Sequence, residues 1–246
     1  MIDDEAAETS PAHGGIPAEI DASFQESVAL LEVSDDVDAT MLRVASVACT
    51  MIEGCSFCSV SELADDALRT RGASDPRAEA VDKIQYETRQ GPCWVAATER
   101  EPLVYTADTS KDERWPDFSK RTAAEVGVFS LVACRLVVGD PPRALGALNM
   151  YGEGPSAFDG ADMQIAMLLA AVAGVLLDAA QREAQLTAAL ETRGLIGQAM
   201  GILMAQSDIT ADEAFAQLRG ASQRMNVKLR DLAKRIAESS GAKREG

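Results

Sequence analysis

The sequence predicts an α+β protein in which an antiparallel sheet flanked by helices comes first and a long helix then leads into a C-terminal bundle of three helices. Two observations predict this order. Short apolar segments separated by Gly and Pro, which are typical of strands, are confined to residues 55–151. From Asp159 to Ala205 there is no proline, and apolar side chains recur at helical spacing instead.

The chain ahead of the sheet is predicted to be a disordered tail followed by one helix. Residues 1–22 are acidic, contain Pro and Gly, and hold few large apolar side chains, so this segment is not expected to form a packed core. Ser23 to Ile52 fits an amphipathic helix. Its apolar positions include Leu42, Val44, Val47 and Ile52. We assign residues 23–180 to the sheet domain.

Four segments of this domain have the composition and alternation of strands. They are Cys55–Ser61, Pro102–Ala107, Ser130–Val138 and Leu145–Tyr151. Gly and Pro punctuate the chain at residues 91–92, 139–142 and 152–155, where turns are expected.

A helix start follows at Asp159, the predicted N-cap, with Asp162 in the first turn and Phe158 placed to pack against Met163 as a hydrophobic staple. The helix then carries a seam with alternating spacings of three and four, typical of a coiled coil. The seam positions are Ile165, Leu168, Val172, Val175, Ala179, Arg182, Leu186, Ala189, Arg193, Ile196, Met200 and Leu203. We favour a helix that pairs with a second copy of the chain; the alternative is a helix that packs on the sheet, followed by a separate helix.

Two more helices complete the predicted C-terminal domain, residues 181–240. Thr210 and Glu213 form a capping box. The first helix has one face made of Phe215, Leu218, Ser222 and Met225. Asn226 can cap the last helix, which Gly241 ends, and residues 241–246 form a flexible tail. The apolar stripe of the last helix is Leu229, Leu232, Ala233 and Ile236.

Charge and rare residues restrict the function classes. The formal net charge is −16, but it is unevenly distributed. Residues 190–246 hold nine Lys/Arg and seven Asp/Glu, a net charge of +2, whereas the rest of the chain has a net charge of −18. This asymmetry favours a C-terminal end that binds nucleic acid. The only histidine is His13, which excludes Ser-His-Asp and Cys-His catalysis in the folded part. Neither a signal peptide nor an apolar run long enough to span a bilayer is recognised, so we expect a cytoplasmic protein with reduced cysteines.

Four C-terminal motifs closely resemble the ANTAR family of RNA-binding domains. They are LIGQAMGILM at 195–204, TADEAF at 210–215, LRGAS at 218–222 and NVKLRDLA at 226–233. Met200 departs from the family, since many members carry lysine there, and this puts an RNA contact at that position in doubt. The resemblance implies a dimeric protein that binds paired RNA hairpins near terminators and so lets transcription continue.

The candidate RNA-binding residues of this domain are cationic or polar. They are Arg193, Gln198, Arg219, Arg224, Asn226, Lys228, Arg230, Lys234 and Arg235. Lys228 and Arg230 at the start of a helix are unfavourable beside its positive dipole end unless an anion such as phosphate binds there. Asn226 and Gln198 are candidate base readers. On residue chemistry alone, the same cations also suit a solubilising surface whose stems cover the core.

The preceding domain resembles the GAF family, which implies a pocket over one sheet face. The motifs are FCSVS at 57–61, QGPCW at 90–94, DTSKDERWP at 108–116, EVGVFS at 125–130 and LGALNMY at 145–151. Candidate pocket residues are Cys93, Trp94, Asp108 and Trp115; alternatively the two tryptophans pack in the core and Asp108 caps a turn. A small-molecule ligand or a protein partner could act here, and nothing specifies a cofactor or a metal.

Two further functions stay open. Cys93 and Cys134 could form the nucleophile and resolving pair of a thiol enzyme such as free methionine sulfoxide reductase, which shares the GAF fold. The C-terminal helices could instead dock a protein partner without nucleic acid.

Cys55-x-x-Cys58 is predicted to lie in a strand with its thiols on opposite faces, which disfavours a shared metal or disulfide. We expect a non-enzymatic RNA-binding antiterminator.

Overall fold

The structure, a computed structural model, describes residues 36–241 and divides into two compact units, one up to Asp178 and one from Ala179. The predicted acidic tail, His13, the start of the first predicted helix and residues 242–246 lie outside the described residues. The α+β prediction is confirmed by a five-stranded antiparallel sheet that precedes the long helix and two C-terminal helices.

The first unit contains the sheet and the helices that flank it. Its strands are β1 (Phe57–Ala64), β2 (Ala67–Ala73), β3 (Leu103–Thr106), β4 (Ser130–Val138) and β5 (Arg143–Gly152). Its helices are α1 (Val37–Met51), α2 (Pro76–Thr88), α3 (Pro92–Thr98) and α4 (Pro116–Glu125), with a 3-10 turn at Thr109–Lys111. The long helix α5 (Gly160–Ser207) begins in this unit and ends in the second, which also holds α6 (Ala211–Met225) and α7 (Leu229–Gly241).

The sheet has the strand order β2-β1-β5-β4-β3, and every pairing is antiparallel. Gly146 enables the central pairing of β5 with β1. It has φ +150°, and a Cβ on it would lie 1.8 Å from the carbonyl oxygen of Ser61, so no larger residue fits there.

Helices cover both faces of the sheet. On one face, α2, α3 and α4 enclose a core that includes Phe57, Ile84, Phe118, Leu131 and Tyr151. Strand alternation directs Cys58 and Cys134 to the other face, and α1 approaches that side so closely that a Cβ on Gly72 would lie 2.3 Å from the backbone nitrogen of Leu42. The central strands of the sheet are therefore buried on both sides.

The start of α5 is confirmed. The Asp159 carboxylate accepts hydrogen bonds from the backbone N–H groups of Ala161 (2.8 Å) and Asp162 (2.9 Å). Within the first unit one stripe of α5 is buried, at Ala166, Leu169, Ala173 and Leu177. By length and composition α5 could also cross a membrane, but this is a weak indication, since core helices of soluble proteins pass the same test.

The second unit has a small core of four buried residues, Ala199, Leu218, Leu232 and Ala233. Ile196 and Leu203, two positions of the predicted seam, pack against this core. The capping box of α6 is confirmed: the Glu213 carboxylate accepts from the backbone N–H of Thr210 at 2.9 Å, and the Thr210 hydroxyl accepts from the Glu213 N–H at 3.4 Å.

Two local predictions are wrong. Cys55 lies in the loop before β1, which begins at Phe57, so the argument that strand alternation separates its thiol from that of Cys58 does not hold. Asn226 does not cap the last helix; it is the C-cap of α6, with the left-handed φ of 51° that asparagine tolerates well. The carbonyl of Lys228 accepts the first hydrogen bonds of α7 instead, from the backbone N–H groups of Asp231 and Leu232.

Strand β2 and helices α2 to α4 were not predicted. Each of these three helices begins with a proline in its first turn, at Pro76, Pro92 and Pro116. Proline is favoured there because that position needs no N–H donor. Proline in the first turn is therefore the sequence signal for these helices that was missed; at Gly91-Pro92 it was interpreted as a turn.

Candidate functional site

All nine candidate RNA-binding side chains lie on the surface of the second unit. Arg193 and Gln198 are on α5, Arg219 and Arg224 on α6, and Arg230, Lys234 and Arg235 on α7. Asn226 and Lys228 lie in the connection between α6 and α7. The buried residues of the same helices form the small core, so the amphipathic pattern places the cations in solvent.

Most of these cations lack a carboxylate partner. Arg230 lies 3.4 Å from Asp231, and Lys234 lies 3.9 Å from Glu238, both pairs being exposed and local to α7. Within residues 36–241, no ion pair holds the other five, Arg193, Arg219, Arg224, Lys228 and Arg235. Exposed pairs contribute little, so the whole set stays available to an incoming anion.

The connection between α6 and α7 is fixed by its own hydrogen bonds. The Ser222 hydroxyl donates to the carbonyl of Val227 at 2.6 Å, and the Val227 N–H donates to the carbonyl of Ser222 at 3.2 Å. The exposed Asn226 side chain takes no part in these bonds, so it is available to a ligand. A rigid turn thus presents Asn226 and Lys228 beside the N-terminus of α7, where helix geometry favours an anion.

None of the four candidate pocket residues of the sheet domain lines a cavity described for residues 36–241. Cys93 and Trp115 are buried in the core, and Trp94 is half-buried against it. Trp115 packs edge-on against Phe118, with ring centroids 6.4 Å apart. Asp108 caps the 3-10 turn and pairs with Lys111 at 2.7 Å. These placements agree with the packing and capping roles named as alternatives.

A buried polar cluster that the sequence analysis missed occupies the sheet face beneath α2 and α3. Ser59 and Ser61 on β1 and Asn149 and Tyr151 on β5 point into it, and α2 adds Asp82, Gln85 and Tyr86. Polar residues at alternate positions of two otherwise apolar strands were the available signal.

Asp82 is the centre of this cluster and is fully buried. Its carboxylate accepts hydrogen bonds from the hydroxyl of Tyr151, from Asn149 Nδ2 at 3.2 Å and from the Thr70 hydroxyl at 2.7 Å. Burial raises the pKa of Asp82 to about 6, although the hydrogen bonds oppose this. Asn149 Oδ1 is buried without a hydrogen-bond partner, an uncommon cost in a folded core.

A surface cavity of about 460 Å³ reaches the edge of the cluster. It is lined by Thr70, Pro76, Glu79, Ala80, Lys83 and Tyr86. The hydroxyls of Thr70 and Tyr86 lie 3.1 Å apart, and they separate this cavity from Asp82.

The two cysteines of the thiol-enzyme alternative are not brought together. Cys93 packs on the sheet face that carries Ala133, and its thiol donates to the Ser61 hydroxyl at 3.4 Å. Cys134 follows Ala133 in β4 and so points to the opposite face. Burial raises the pKa of each thiol to about 12, which disfavours the nucleophilic thiolate.

Comparison with protein families identifies both units. A model of the GAF domain matches residues 34–178, and a model of the ANTAR domain matches residues 184–236. No curated protein matches the chain.

Solved structures with the same fold are similar to the chain at low sequence identity. A protein described as a GAF sensor from Burkholderia vietnamiensis has 16% identity and a TM-score of 0.51, with 70% of this chain and 99% of that one covered. The reduced form of fRMsr from Staphylococcus aureus has 13% identity and a TM-score of 0.51, over 64% and 94%. Bacteriophytochrome RpBphP3 from R. palustris has 13% identity and a TM-score of 0.54; the alignment covers 85% of this chain but 48% of that protein. At these identities the likeness shows the fold alone.

Proposed function

The chain belongs to the GAF domain family over residues 34–178 and carries an ANTAR domain over residues 184–236, and on that premise we propose that it is a transcription antiterminator that binds paired RNA hairpins under control of its GAF domain. The domain content supports a regulator with a sensory GAF domain and an RNA-binding ANTAR domain, and we propose that it is not an enzyme. We propose in addition that the RNA target is a pair of hairpins, that binding lets transcription continue, and that the GAF domain controls the binding.

One observation carries the RNA-binding site: a turn fixed by its own hydrogen bonds presents Asn226, Lys228 and Arg230 at the N-terminus of α7. Phosphate is favoured there by the helix dipole and by the two cations, and Asn226 supplies donors and an acceptor for a base edge. Arg219 and Arg224 on α6 and Arg235 on α7 add further cations, and no carboxylate within residues 36–241 pairs with them.

We propose that two copies of the chain pair through the exposed seam of α5. Val175 and Leu186 are each 62% exposed, although both are seam positions of a heptad. Leu190, 58% exposed, adds apolar surface to the same helix. A second copy that offers the same residues would bury these side chains, and two RNA-binding units would then engage two hairpins with increased avidity.

Control by the GAF domain is proposed to act through α5, which supplies buried side chains to both cores. Leu169 and Leu177 belong to the buried stripe in the first unit, and Ala199 belongs to the core of the second. A small molecule or protein partner would switch the protein only by binding its two states with different affinity. The polar sheet face around Asp82 and Cys93 is the proposed sensing face, Trp94, Asp108 and Trp115 being further candidates. We also propose a cytoplasmic location, in keeping with an RNA target.

The test is hairpin binding by the full-length protein and its Lys228→Glu/Arg230→Glu variant. Two charge reversals replace phosphate attraction by repulsion, so we expect affinity for a tandem-hairpin RNA to fall at least about 100-fold. Lys83→Glu/Lys120→Glu, two exposed reversals on the sheet domain, is the matched control and should bind like the wild type. Unchanged binding by the double variant, with an unchanged circular dichroism spectrum, would reject this site.

Antitermination and pairing need separate readouts. Read-through of a terminator downstream of the hairpins should rise with the wild type and not with the double variant. Leu186→Glu should convert a dimer to a monomer in sedimentation analysis, since it places a charge in the seam. If a folded wild type binds no hairpin even at low salt, the C-terminal helices are a protein-docking module instead.

A further inference from the structure

Three cysteines lie together where α1 meets the start of the sheet, although the sequence spacing pointed to only two of them. Cys49 is in the last turn of α1, Cys55 is in the following loop, and Cys58 is in β1. The sulfur atoms of Cys49 and Cys55 are 3.6 Å apart. The Cys49 thiol also lies 3.3 Å from the hydroxyl of Ser74.

We propose that Cys49 and Cys55 are an oxidisable pair, set apart by the proximity of their sulfur atoms, which hydroperoxides convert slowly to a reversible intramolecular disulfide. The pair is already within van der Waals contact, so the bond requires a further approach of the two sulfur atoms and no rearrangement of the sheet. Within residues 36–241, no group of three or more His, Cys, Asp or Glu side chains is arranged to hold a metal ion, so metal ligation does not account for the pairing.

The order of reaction follows from access. Cys49 is the only half-buried cysteine; Cys55, Cys58, Cys93 and Cys134 are buried. The Cys49 thiolate attacks one oxygen of the hydroperoxide, which breaks the O–O bond, gives a sulfenic acid and releases water or an alcohol. The Cys55 sulfur then attacks the Cys49 sulfur, the S–O bond breaks, and the oxygen leaves as water with the Cys55 proton. Two thiols are oxidised and one peroxide is reduced.

The alternative pair Cys55 and Cys58 is closer in sequence but worse placed for reaction. Cys58 is completely buried in β1, and its thiol donates to the carbonyl of Ser59 at 3.8 Å. Its backbone N–H donates to the Ser74 hydroxyl at 2.9 Å, which holds this part of β1 in place. An oxidant that enters from solvent therefore meets Cys49 first, and the sulfur of Cys49 is in contact with that of Cys55.

The environment makes the oxidation slow at neutral pH. The contact with Cys55 and partial burial raise the pKa of Cys49. The Cys49 contact lowers the pKa of Cys55, but Cys58 and burial outweigh it, so that the pKa of Cys55 is raised as well. The thiolate is the reactive form, so the rate of oxidation is expected to rise about tenfold for each unit of pH between 7 and 9.

The experiment uses reduced full-length protein and hydrogen peroxide at pH 8.5; the peroxide is then removed, the protein is denatured so that buried thiols are accessible, and free thiols are blocked with N-ethylmaleimide. Five alkylated cysteines are expected before oxidation and three after it. Cleavage after Glu53 separates Cys49 from Cys55 and Cys58 in the sequence. A Cys49–Cys55 disulfide therefore keeps two fragments joined until a reductant is added, whereas a Cys55–Cys58 disulfide lies within one fragment.

Matched variants make the outcome decisive. Cys49→Ser and Cys55→Ser should each abolish the reductant-sensitive joining of fragments, whereas Cys93→Ser and Cys134→Ser should keep it. Cys58→Ser should keep it as well, which separates the proposed pair from the sequence-adjacent one. In urea the fold no longer holds Cys49 beside Cys55, so the preference for the Cys49–Cys55 disulfide over other pairings should be lost. Five alkylated cysteines after prolonged oxidation, or a native disulfide between Cys55 and Cys58, would overturn the proposal.

Discussion

The sheet domain and the C-terminal helices place their polar side chains in opposite ways. The sheet domain buries an aspartate, an asparagine, two serines and a tyrosine beneath α2 and α3. The C-terminal unit packs a small apolar core and exposes every candidate binding side chain. The first arrangement suits recognition from within a domain, and the second suits contact with a large polyanion.

The difference also separates the sources of stability. A small apolar core offers little surplus over the entropy of ordering three helices, so single contacts and caps matter. A sheet domain with two covered faces tolerates the cost of a buried carboxylate because the surrounding core is large. Three measurements test this contrast.

The largest effect is expected from Leu218→Ala in the C-terminal unit. Leu218 is 1% exposed in a core of four residues, and such truncations cost about 2–5 kcal/mol. We expect α6 and α7 to lose amide-exchange protection while β1, β4 and β5 keep theirs. Phe215→Ala, a 39% exposed neighbour, is the control and should change little. Loss of protection in both units together would show that they unfold as one.

The next effect is the pH dependence contributed by Asp82. Its pKa is about 6 in the folded domain, against 3.8 for an exposed carboxyl, so between these values the folded state binds more protons. The tighter binding of the Asp82 proton in the folded state stabilises the domain fully below about pH 4. This stabilisation is lost as the pH rises through 6, a change in the free energy of unfolding on the order of 2–3 kcal/mol.

Asp82→Asn should remove this part of the pH dependence. Urea unfolding at pH 4, 5, 6 and 7 measures it as the difference between wild type and variant, in which the shared carboxylates cancel. A difference independent of pH would mean that Asp82 keeps an ordinary pKa in its buried position.

The smallest effect is expected from Thr210→Ala at the capping box of α6. The change removes one acceptor for the Glu213 N–H and should destabilise the C-terminal unit by about 1 kcal/mol. Thermal unfolding of the full chain measures this loss of stability, and amide exchange in α6 assigns it to the C-terminal unit. Thr210→Ser keeps the hydroxyl and should restore most of the loss. Equal destabilisation by both variants would contradict a capping role.

Elements fixed by neighbouring residues could be predicted from the sequence. Asp159 and the Thr210–Glu213 pair begin their helices as predicted, because an N-cap side chain reaches only the next two or three N–H groups. Strand β4 was predicted with its observed bounds, since an apolar run between two turns leaves few other structures. The pattern of Asn226 was ambiguous: the same residue type suits an N-cap and a left-handed C-cap.

By itself the sequence determined the two families, the order of sheet and helices, and the exposure of the C-terminal cations, because each depends on periodicity and caps within a few residues. Only the tertiary structure decided which distant groups meet. Asp82 reaches Asn149 and Tyr151 because antiparallel register and the packing of α2 bring them to one face. The contact of Cys49 with Cys55 likewise depends on the loop between α1 and β1, whose path follows from packing and not from local propensity.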